Sequence, residues 1–507
     1  MKRLSLSLVF GLPFLASSAC GGGDPSADDG AETGDGPETT AASETGDGDG
    51  DGDGDGDGDG DSDGLEVLGS QFQISFTGTP GDTKYDAMIA DVAYSPDQAE
   101  FLVVWVSDQL QTETTADREI FGQFVNTAGS QVGVDDFQIS DQQWAGGEQD
   151  AAANQPSVAY NSTDQEFLVA WAGERSDGEY EVYGRRIDAA TRVPVGDPFR
   201  ISSQGSDGNP DIDALGPDVV YNATDNEYLI AWYGHEVAGA REIYCRRVSA
   251  SGVLQGEQAV QVSTHGSTND TDYNAYIPAI AWNSTDNEYL ITWYANESPL
   301  NNEIYARRFD ASATALASQF AVSDAGGLTN GFNATVPAVD YKAETHEYLV
   351  VWSADDNLSG SADDRIEIFG QRLDAVGAAV GANDFRIAAM SNPGDKEFDC
   401  REPAVVVTDD GWWVVWYGNE GSPPLALYEN EVWGRRLAAD GSLLEDEMRL
   451  SSAGPDGDDA YHPVRPAIAY APAVQRALVV WEGDDDQNSM VAGEYEIFGQ
   501  LWGMPIP

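Results

Sequence analysis

Short runs of apolar and β-branched residues alternate with polar turns along almost the whole chain after residue 90. In residues 278–308, an apolar run (278–282) is followed by the turn sequence NSTDN (283–287) and a second run (289–293). Two such runs joined by a short Asn/Asp/Ser cluster predict a β-hairpin. A third strand is predicted over 303–309 and a fourth over 319–323. Each unit is therefore predicted to be a four-stranded antiparallel meander.

Seven versions of this unit follow one another. The second predicted strand of each unit ends near a tryptophan, at intervals of 59 to 66 residues: Trp105, Trp171, Trp232, Trp293, Trp352, Trp416 and Trp481. The third strand begins with a glutamate: Glu119, Glu181, Glu242, Glu303, Glu367, Glu431 and Glu496. A fixed period of four short strands predicts an all-β fold, a seven-bladed β-propeller. An irregular β-solenoid, with one strand per short rung, would not generate this unit.

The two ends of the repeat region predict how the ring closes. The last unit stops within its third strand, whereas residues 71–75 (QFQIS) match the fourth strands at 136–140 and 198–202. The N-terminal strand is therefore expected to complete the last blade and to remove two exposed sheet edges.

Residues 1–20 have the pattern of a secretory signal peptide. Lys2 and Arg3 precede an apolar core (4–15), and small residues precede Cys20. The ending ASSAC resembles a bacterial lipobox, in which the cysteine carries the lipid, although Ser17 stands where a leucine is usual. Lipidation of Cys20 is predicted, and ordinary secretion is the alternative. The location predicted is the bacterial outer membrane or cell surface.

Residues 21–68 are predicted to be a disordered acidic tether, and 69–507 the propeller. The tether contains almost nothing apolar and ends in a Gly-Asp alternation, so it cannot bury enough surface to fold. After the signal peptide and residues 21–64 are set aside, 72 acidic residues face 23 basic ones. This negative field makes nucleic acid and anionic membrane surfaces poor partners.

One rim of the ring is predicted to gather oxygen ligands, because the loop after each tryptophan shares a face with the loop entering the next blade. Calcium is coordinated by oxygen ligands in loops, so calcium is the candidate cation. The candidate ligands are Asp108, Glu174, Glu236, Glu297, Asp355, Asp356, Glu420, Asp484 and Asp485. Tyr233, His235, Tyr294 and Tyr417 suit a glycan or protein ligand at the same rim. The alternative is that these acidic and amide groups only form Asx-turns.

Residues present in every unit are interpreted as scaffold, so the tryptophans and third-strand glutamates are assigned that role. A single active site would depart from the repeat, as Asp340 with Lys342 does. No zinc-spaced His pair, GxSxG or phosphate-binding glycine loop occurs. The function predicted is a monomeric, non-catalytic surface platform that binds an extracellular protein or glycan. A propeller glycoside hydrolase or lyase and a purely structural component are the alternatives.

The repeat, with its NSTDNEYLxxW hairpin and EIFGQRLD strand, resembles those of large bacterial surface proteins. The Gly-Asp tether behind a lipobox-like cysteine is similar to that of predicted myxobacterial lipoproteins. This resemblance covers nearly the whole chain and implies an exported propeller, but it implies no catalytic residues.

Overall fold

The computed structural model describes 65–78, 85–108, 118–141, 152–174, 178–204, 209, 212–235, 240–265, 273–298, 301–324, 333–355, 366–388, 390, 399–419, 425, 429–458, 460–484, 490 and 493–504. These residues belong to one compact unit, Asp61–Pro507. The predicted signal peptide, Cys20 and the tether as far as residue 64 lie outside the described residues. Within the described part, no helix is long and apolar enough to cross a bilayer.

The described strands form seven sheets of four antiparallel strands, here called blades 1–7, and strands are numbered along the chain. The innermost strands of blades 1–7 are β2 (Ala87–Ser95), β6 (Ala153–Asn161), β10 (Ala214–Asn222), β14 (Ala275–Asn283), β18 (Ala334–Lys342), β22 (Cys400–Val407) and β26 (Val464–Ala471). The second strands are β3 (Glu100–Ser107), β7 (Glu166–Glu174), β11 (Glu227–Gly234), β15 (Glu288–Ser298), β19 (Glu347–Asp355), β23 (Gly411–Gly418) and β27 (Arg476–Gly483).

The third strands are β4 (Glu119–Asn126), β8 (Tyr180–Asp188), β12 (Glu242–Ser249), β16 (Asn301–Asp310), β20 (Ile366–Asp374), β24 (Glu431–Ala438) and β28 (Glu496–Gly503). The fourth strands of blades 1–6 are β5 (Gln131–Gln138), β9 (Val193–Arg200), β13 (Val260–Gln261), β17 (Phe320–Ala321), β21 (Ala379–Arg386) and β25 (Met448–Arg449). In blade 7 the fourth strand is β1 (Glu66–Gln73).

The blades close into a ring around a central channel. Each innermost strand contacts the innermost strands of the blades before and after it, and β26 contacts β2. The N-terminal strand β1 pairs with β28, with Val67 opposite Trp502 and Phe72 opposite Gly499. The predicted seven-bladed propeller and its closure by the N-terminal strand are confirmed. This strand begins at Glu66, three residues before the predicted boundary, because Val67 and its neighbours continue the pairing with β28.

The hydrophobic core is divided among the junctions between blades. Seven clusters of buried side chains each join neighbouring blades, including one that joins blade 7 to blade 1. Each repeated tryptophan is at most 1% exposed. In blade 2, Trp171 stacks on Tyr183 of the third strand with ring centroids 6.4 Å apart. The repeated apolar residues therefore bury one blade against the next.

The third-strand glutamates anchor the ends of the fourth strands. In blade 2, Ser202 Oγ donates to Glu181 Oε2 and accepts the Val182 N–H at 2.7 Å. The Gln204 N–H donates to Glu181 Oε1 at 2.9 Å. We call this arrangement the Glu–Ser clasp. It recurs in the pairs Glu119–Ser140, Glu242–Ser263, Glu303–Ser323, Glu431–Ser451 and Glu496–Ser75.

Blade 5 has Ala388 in place of the serine, and its glutamate, Glu367, pairs with Arg386. In both forms the buried glutamate binds groups at the end of its own blade's outermost strand. The repeated glutamates thus have structural partners in the described chain.

The substitution Ser202→Ala is expected to lower the free energy of unfolding by about 1–3 kcal/mol, because a buried N–H and a buried carboxylate each lose a partner. Urea unfolding measures this change. Ser162→Ala is the matched control, since Ser162 is exposed in a turn and should change the free energy of unfolding little. Equal effects of the two substitutions would show that the clasp does not stabilise the fold.

Candidate functional site

A bulge reshapes the beginning of every innermost strand. Pairing with the second strand shifts register there, as between Met88 and Asp91 in blade 1. One residue of each bulge has a positive φ, between 46° and 55°. These residues, which we call the bulge ring, are Ile89, Gln155, Gly216, Ile277, Val336, Glu402 and Arg465. They surround one mouth of the channel, on the face where the innermost strands begin and the second strands end, here called the upper face.

Each bulge frees a backbone N–H, and the preceding blade can supply the acceptor. Ser353 Oγ of blade 5 accepts the Glu402 N–H at 2.9 Å. Gln155 Oε1 of blade 2 accepts the Gly216 N–H at 3.0 Å. Residues at the mouth are therefore held by contacts between blades, and their positions are fixed by the closed ring.

The bulge ring departs from its uncharged pattern in blades 6 and 7. Arg465 Nη1 lies 2.5 Å from Glu482 Oε1, and Arg465 Nε lies 3.4 Å from Glu402 Oε2. Glu482 directly follows the anchoring Trp481 and also accepts the Ile89 N–H of blade 1. We call Glu402, Arg465 and Glu482 the charged cluster. Their side chains are 19%, 37% and 4% exposed, so Arg465 and Glu402 face solvent while Glu482 is buried.

Burial governs the acid–base properties of this cluster. It raises the pKa of Glu402 and of Glu482, and the charge of Arg465 only partly offsets the effect. The charge of Glu402 raises the pKa of Glu482 further. Burial also raises the pKa of the half-buried Tyr417, and Glu402 adds to that shift. The cluster therefore presents one cation between two carboxyl groups that bind protons more readily than in water.

Aromatic side chains occupy the other side of the mouth, at the junction of blades 3 and 4. Tyr276 stacks on Tyr294 at 5.3 Å and meets Tyr233 edge to face at 5.6 Å. The guanidinium carbon of Arg241 lies 5.7 Å from the Tyr276 ring centroid and 6.0 Å from that of Tyr233. We call these four residues the tyrosine cluster. Tyr276 is partly exposed, whereas Tyr233 and Tyr294 are buried.

Gly216 of the bulge ring makes room for this cluster. A Cβ atom at Gly216 would lie 2.6 Å from Tyr233 Cε1, closer than non-bonded atoms approach. Gly216 also has a φ of +55°, a conformation that glycine adopts more readily than other residues. The tyrosine cluster therefore depends on a residue in the innermost strand that the neighbouring bulges do not share.

Acidic side chains also lie along the innermost strands beyond the mouth. Asp91 of blade 1 accepts the Val158 N–H of blade 2 at 2.8 Å. Asp218 of blade 3 accepts the Ile280 N–H of blade 4 at 2.7 Å and the Ser157 hydroxyl at 3.1 Å. Each carboxylate thus supplies an acceptor to the innermost strand of the following blade.

Asp340 of blade 5 does the same for Val407 of blade 6, at 2.8 Å. Burial raises the pKa of Asp340 and of Asp91 to about 6. Burial and the nearby charge of Asp91 raise the pKa of Asp218 to about 7. These carboxyl groups therefore change charge near neutral pH.

Three of the predicted rim carboxylates, Asp108, Glu174 and Asp484, accept hydrogen bonds from backbone N–H groups. Asp108 Oδ1 accepts the Asp86 N–H at 2.6 Å. Asp484 accepts the N–H groups of His462 and Gly493, each at 2.7 Å. Glu174 Oε2 accepts the Ala152 N–H and the Tyr180 hydroxyl, each at 3.3 Å. The contacts with Asp86, Ala152 and His462 join the end of the second strand to the segment entering the innermost strand, whereas Tyr180 and Gly493 lie at or just before the start of the third strand.

The structure describes some of the other predicted rim residues, and the rest lie outside the described part. Asp355 and His235 are buried. Glu297 lies in β15, but its side chain is outside the described part. Four further predicted ligands lie outside the described residues: Glu236, Asp356, Glu420 and Asp485. Among the residues that the structure describes, no three His, Cys, Asp or Glu side chains could hold a metal ion together. Calcium at the rim stays a prediction.

The residues of the mouth that sequence reasoning missed are Tyr276, Arg241, Glu402, Arg465 and Glu482. For three of these residues, alignment of the seven repeats does show an unusual residue type. Glu402 and Arg465 precede prolines at a position that is Gln, Gly, Ile or Val in blades 2–5, and Glu482 follows the anchoring tryptophan. The bulge that brings these positions together at the mouth leaves no comparable signal.

No protein-family model matches the sequence, and no match was found among the curated proteins. Solved structures with a similar fold include a polysaccharide lyase of family PL25, an ulvan lyase, at 10% identity and a TM-score of 0.48 over 85% of this chain and 95% of that one. An α-L-arabinofuranosidase from Fusarium graminearum has 9% identity and a TM-score of 0.46 over 86% and 98%. A Hadza microbial sialidase has 9% identity and a TM-score of 0.44 over 85% and 68%. The likeness is one of fold, and residue roles do not carry over from it.

The melting temperature is expected to rise as the pH falls from 8 to 5. The pKa values of Asp91, Asp218 and Asp340 in the folded state lie above the unfolded value of about 4. The folded state therefore binds these protons more tightly, and the stability they contribute, complete below pH 4, is lost as the pH rises through 6 and 7. Thermal unfolding at constant ionic strength measures this.

Asp218→Asn keeps the side-chain size and removes one titrating group, so the rise should be smaller in this variant. A melting temperature that falls between pH 8 and pH 5 would contradict the assignment of raised pKa values to these carboxyl groups.

Proposed function

We propose that this protein is an exported propeller that binds a glycan at the upper mouth of its channel. The proposal rests on one observation: the residues at the mouth differ from blade to blade and do not follow the sevenfold repeat. Tyrosines lie on one side and Arg465 between two glutamates on the other, whereas the scaffold positions recur in every blade. Groups that a ring needs for its stability are repeated, so groups confined to one sector of the mouth suit a ligand.

The chemistry of the mouth fits a sugar ring. A sugar presents an apolar face of C–H groups, which the exposed part of the Tyr276 ring can contact. It also presents hydroxyl groups in pairs, which the fixed donors of Arg465 and the acceptor oxygens of Glu402 can bind. Small-molecule sites commonly combine apolar and aromatic walls with a few convergent polar groups.

A neutral glycan suits the charge of this protein better than an acidic one. The chain after residue 64 contains 72 acidic and 23 basic residues. In the charged cluster Arg465 already faces two carboxyl groups. A polyanion approaching the mouth would be repelled by the overall field, and the charge of Arg465 is already paired with two carboxyl groups.

We propose further that the propeller is held at the cell surface by a lipid on Cys20, through the acidic segment 21–64. The sequence carries this part of the proposal: the lipobox-like ending at Cys20 and the Gly-Asp alternation behind it. Like charges repel one another along a chain, so such a segment would act as a spacer between the lipid and the propeller.

A glycoside hydrolase is the second candidate, and the raised pKa of Glu402 and Glu482 favours it. A general acid for glycosidic cleavage must hold its proton near neutral pH. Glu402 is the accessible carboxyl group of the two. Release of reducing ends from a bound oligosaccharide, lost in Glu402→Gln, would establish this activity. Binding without any release would exclude it for that ligand.

An array of neutral and uronate-containing glycans, incubated with the exported protein, tests the main proposal. Neutral glycans are expected to bind, and Glu402→Gln is expected to weaken binding by about tenfold to a hundredfold, the effect of losing a charged hydrogen bond. Glu257→Gln is the matched control, because Glu257 is exposed away from the mouth. Measurement in EDTA and in calcium tests whether calcium ordering of the rim contributes.

Failure of every neutral glycan to bind, or equal binding by the two Gln variants, would refute the assignment of a glycan site to the mouth.

Cys20→Ala is expected to move the protein from the membrane fraction to the soluble extracytoplasmic fraction, because the acceptor of the lipid is removed. Fractionation and mass spectrometry of the mature N-terminus measure this. Ser18→Ala is the control and should leave the distribution unchanged. An unmodified N-terminus in the natural sequence would show ordinary secretion instead.

A further inference from the structure

We infer that the ligand is an extended chain of several sugar units, which lies across the channel mouth and contacts the tyrosine cluster and the charged cluster together. This inference rests on the proposed function and specifies the class of ligand. The two clusters are separate contact surfaces on opposite sides of one ring, and a single sugar unit would engage only one of them.

The placement of the clusters follows from the blade order. The tyrosine cluster joins blades 3 and 4, and the charged cluster joins blades 6 and 7. Blade 5 separates them on one side, and blades 1 and 2 separate them on the other. In a ring of seven blades these sectors face each other across the channel, so a ligand that touches both must cross the mouth.

The described bulge-ring residues in the sectors between the clusters place no charged side chain on this path. Their bulge-ring residues are the uncharged Ile89, Gln155 and Val336. In blade 5 the side chain beside the bulge is the short Ser353, which accepts a backbone N–H. At the described bulge-ring positions, charge is thus confined to Glu402 and Arg465, at one end of the proposed path.

Each cluster is rigid before any ligand arrives. Tyr276 is held by stacking on Tyr294 and by the guanidinium of Arg241. Arg465 is held between Glu402 and Glu482, and Glu482 is fixed in turn by a backbone N–H. Preorganised groups lose little conformational entropy on binding. Two such surfaces at a fixed separation favour a ligand long enough to reach both, because the second contact is then intramolecular.

Each cluster alone offers only a small contact surface to a ligand. The tyrosine cluster exposes part of one ring, Tyr276, while Tyr233 and Tyr294 are buried. The charged cluster exposes parts of Arg465 and Glu402. Contacts of this size bind single sugars weakly, so useful affinity requires both ends of the mouth.

Isothermal titration calorimetry with neutral oligosaccharides of one to eight units, from xylo-, arabino-, cello-, malto- and manno- series, tests the inference on the full exported chain. For the series that binds, affinity is expected to rise with length until both clusters are reached and then to level off. With the longest oligomer, Tyr276→Ala and Glu402→Gln should each weaken binding at least tenfold.

The same two variants distinguish one end of the site from the other. With a disaccharide, only one of the two substitutions should change the affinity, since so short a ligand reaches one cluster. Tyr160→Ala, a half-buried tyrosine at the opposite end of an innermost strand, and Glu257→Gln are the matched controls. Thermal unfolding of every variant identifies any loss of affinity that arises from loss of the fold, and conservative Tyr276→Phe should then retain binding.

An affinity that is independent of length from the monosaccharide upward would overturn the inference while leaving the glycan site intact. Sensitivity of the longest oligomer to only one of the two clusters would overturn it in the same way. Failure of every oligosaccharide to bind the natural protein would instead overturn the proposed function, and the inference with it.

Discussion

The innermost strand of every blade has one edge that no further strand can pair, and much of the architecture answers this constraint. Buried N–H groups without an acceptor cost folding free energy, so each needs a partner. Asp91, Asp218 and Asp340 supply acceptors to the following blade along the channel. Ser353 and Gln155 do so at the bulges. The same contacts join consecutive blades. The hydrogen bonds that satisfy the open strand edges therefore also help to close the ring.

This constraint also links the candidate site to the scaffold. Glu482 accepts the N–H of Ile89 in the next blade and holds Arg465 toward the mouth. The side chain that completes a backbone hydrogen bond is therefore the one that positions an exposed cation. The tyrosine cluster has a similar origin, because Tyr233 lies over a bulge where Gly216 carries no side chain. The proposed site at the mouth thus uses positions that the fold already had to fix, with the residue type altered in one or two blades.

Residues that recur from blade to blade and residues that occur in a single sector indicate different roles in this protein. The Glu–Ser clasp and the buried tryptophans recur from blade to blade and account for the integrity of each sheet and each junction. The charged cluster and the tyrosine cluster occur in single sectors. The proposed glycan would therefore meet different side chains on the two sides of a mouth whose scaffold contacts recur from blade to blade.

The sequence by itself determined the architecture: the spacing of tryptophans and glutamates predicts seven four-stranded blades, and the unmatched strand at 71–75 predicts the closure. It also predicted Tyr233 and Tyr294 as candidate ligand residues of the rim, and that role stays a prediction. It could not give their burial, the partnership of Asp108 with a backbone N–H, or the union of Glu402, Arg465 and Glu482. Within blades 1–6, partners are close in sequence and follow strand periodicity. The contacts that build the mouth cross between blades, as from Glu482 to Ile89, 393 residues apart, and only the closed ring brings such residues together.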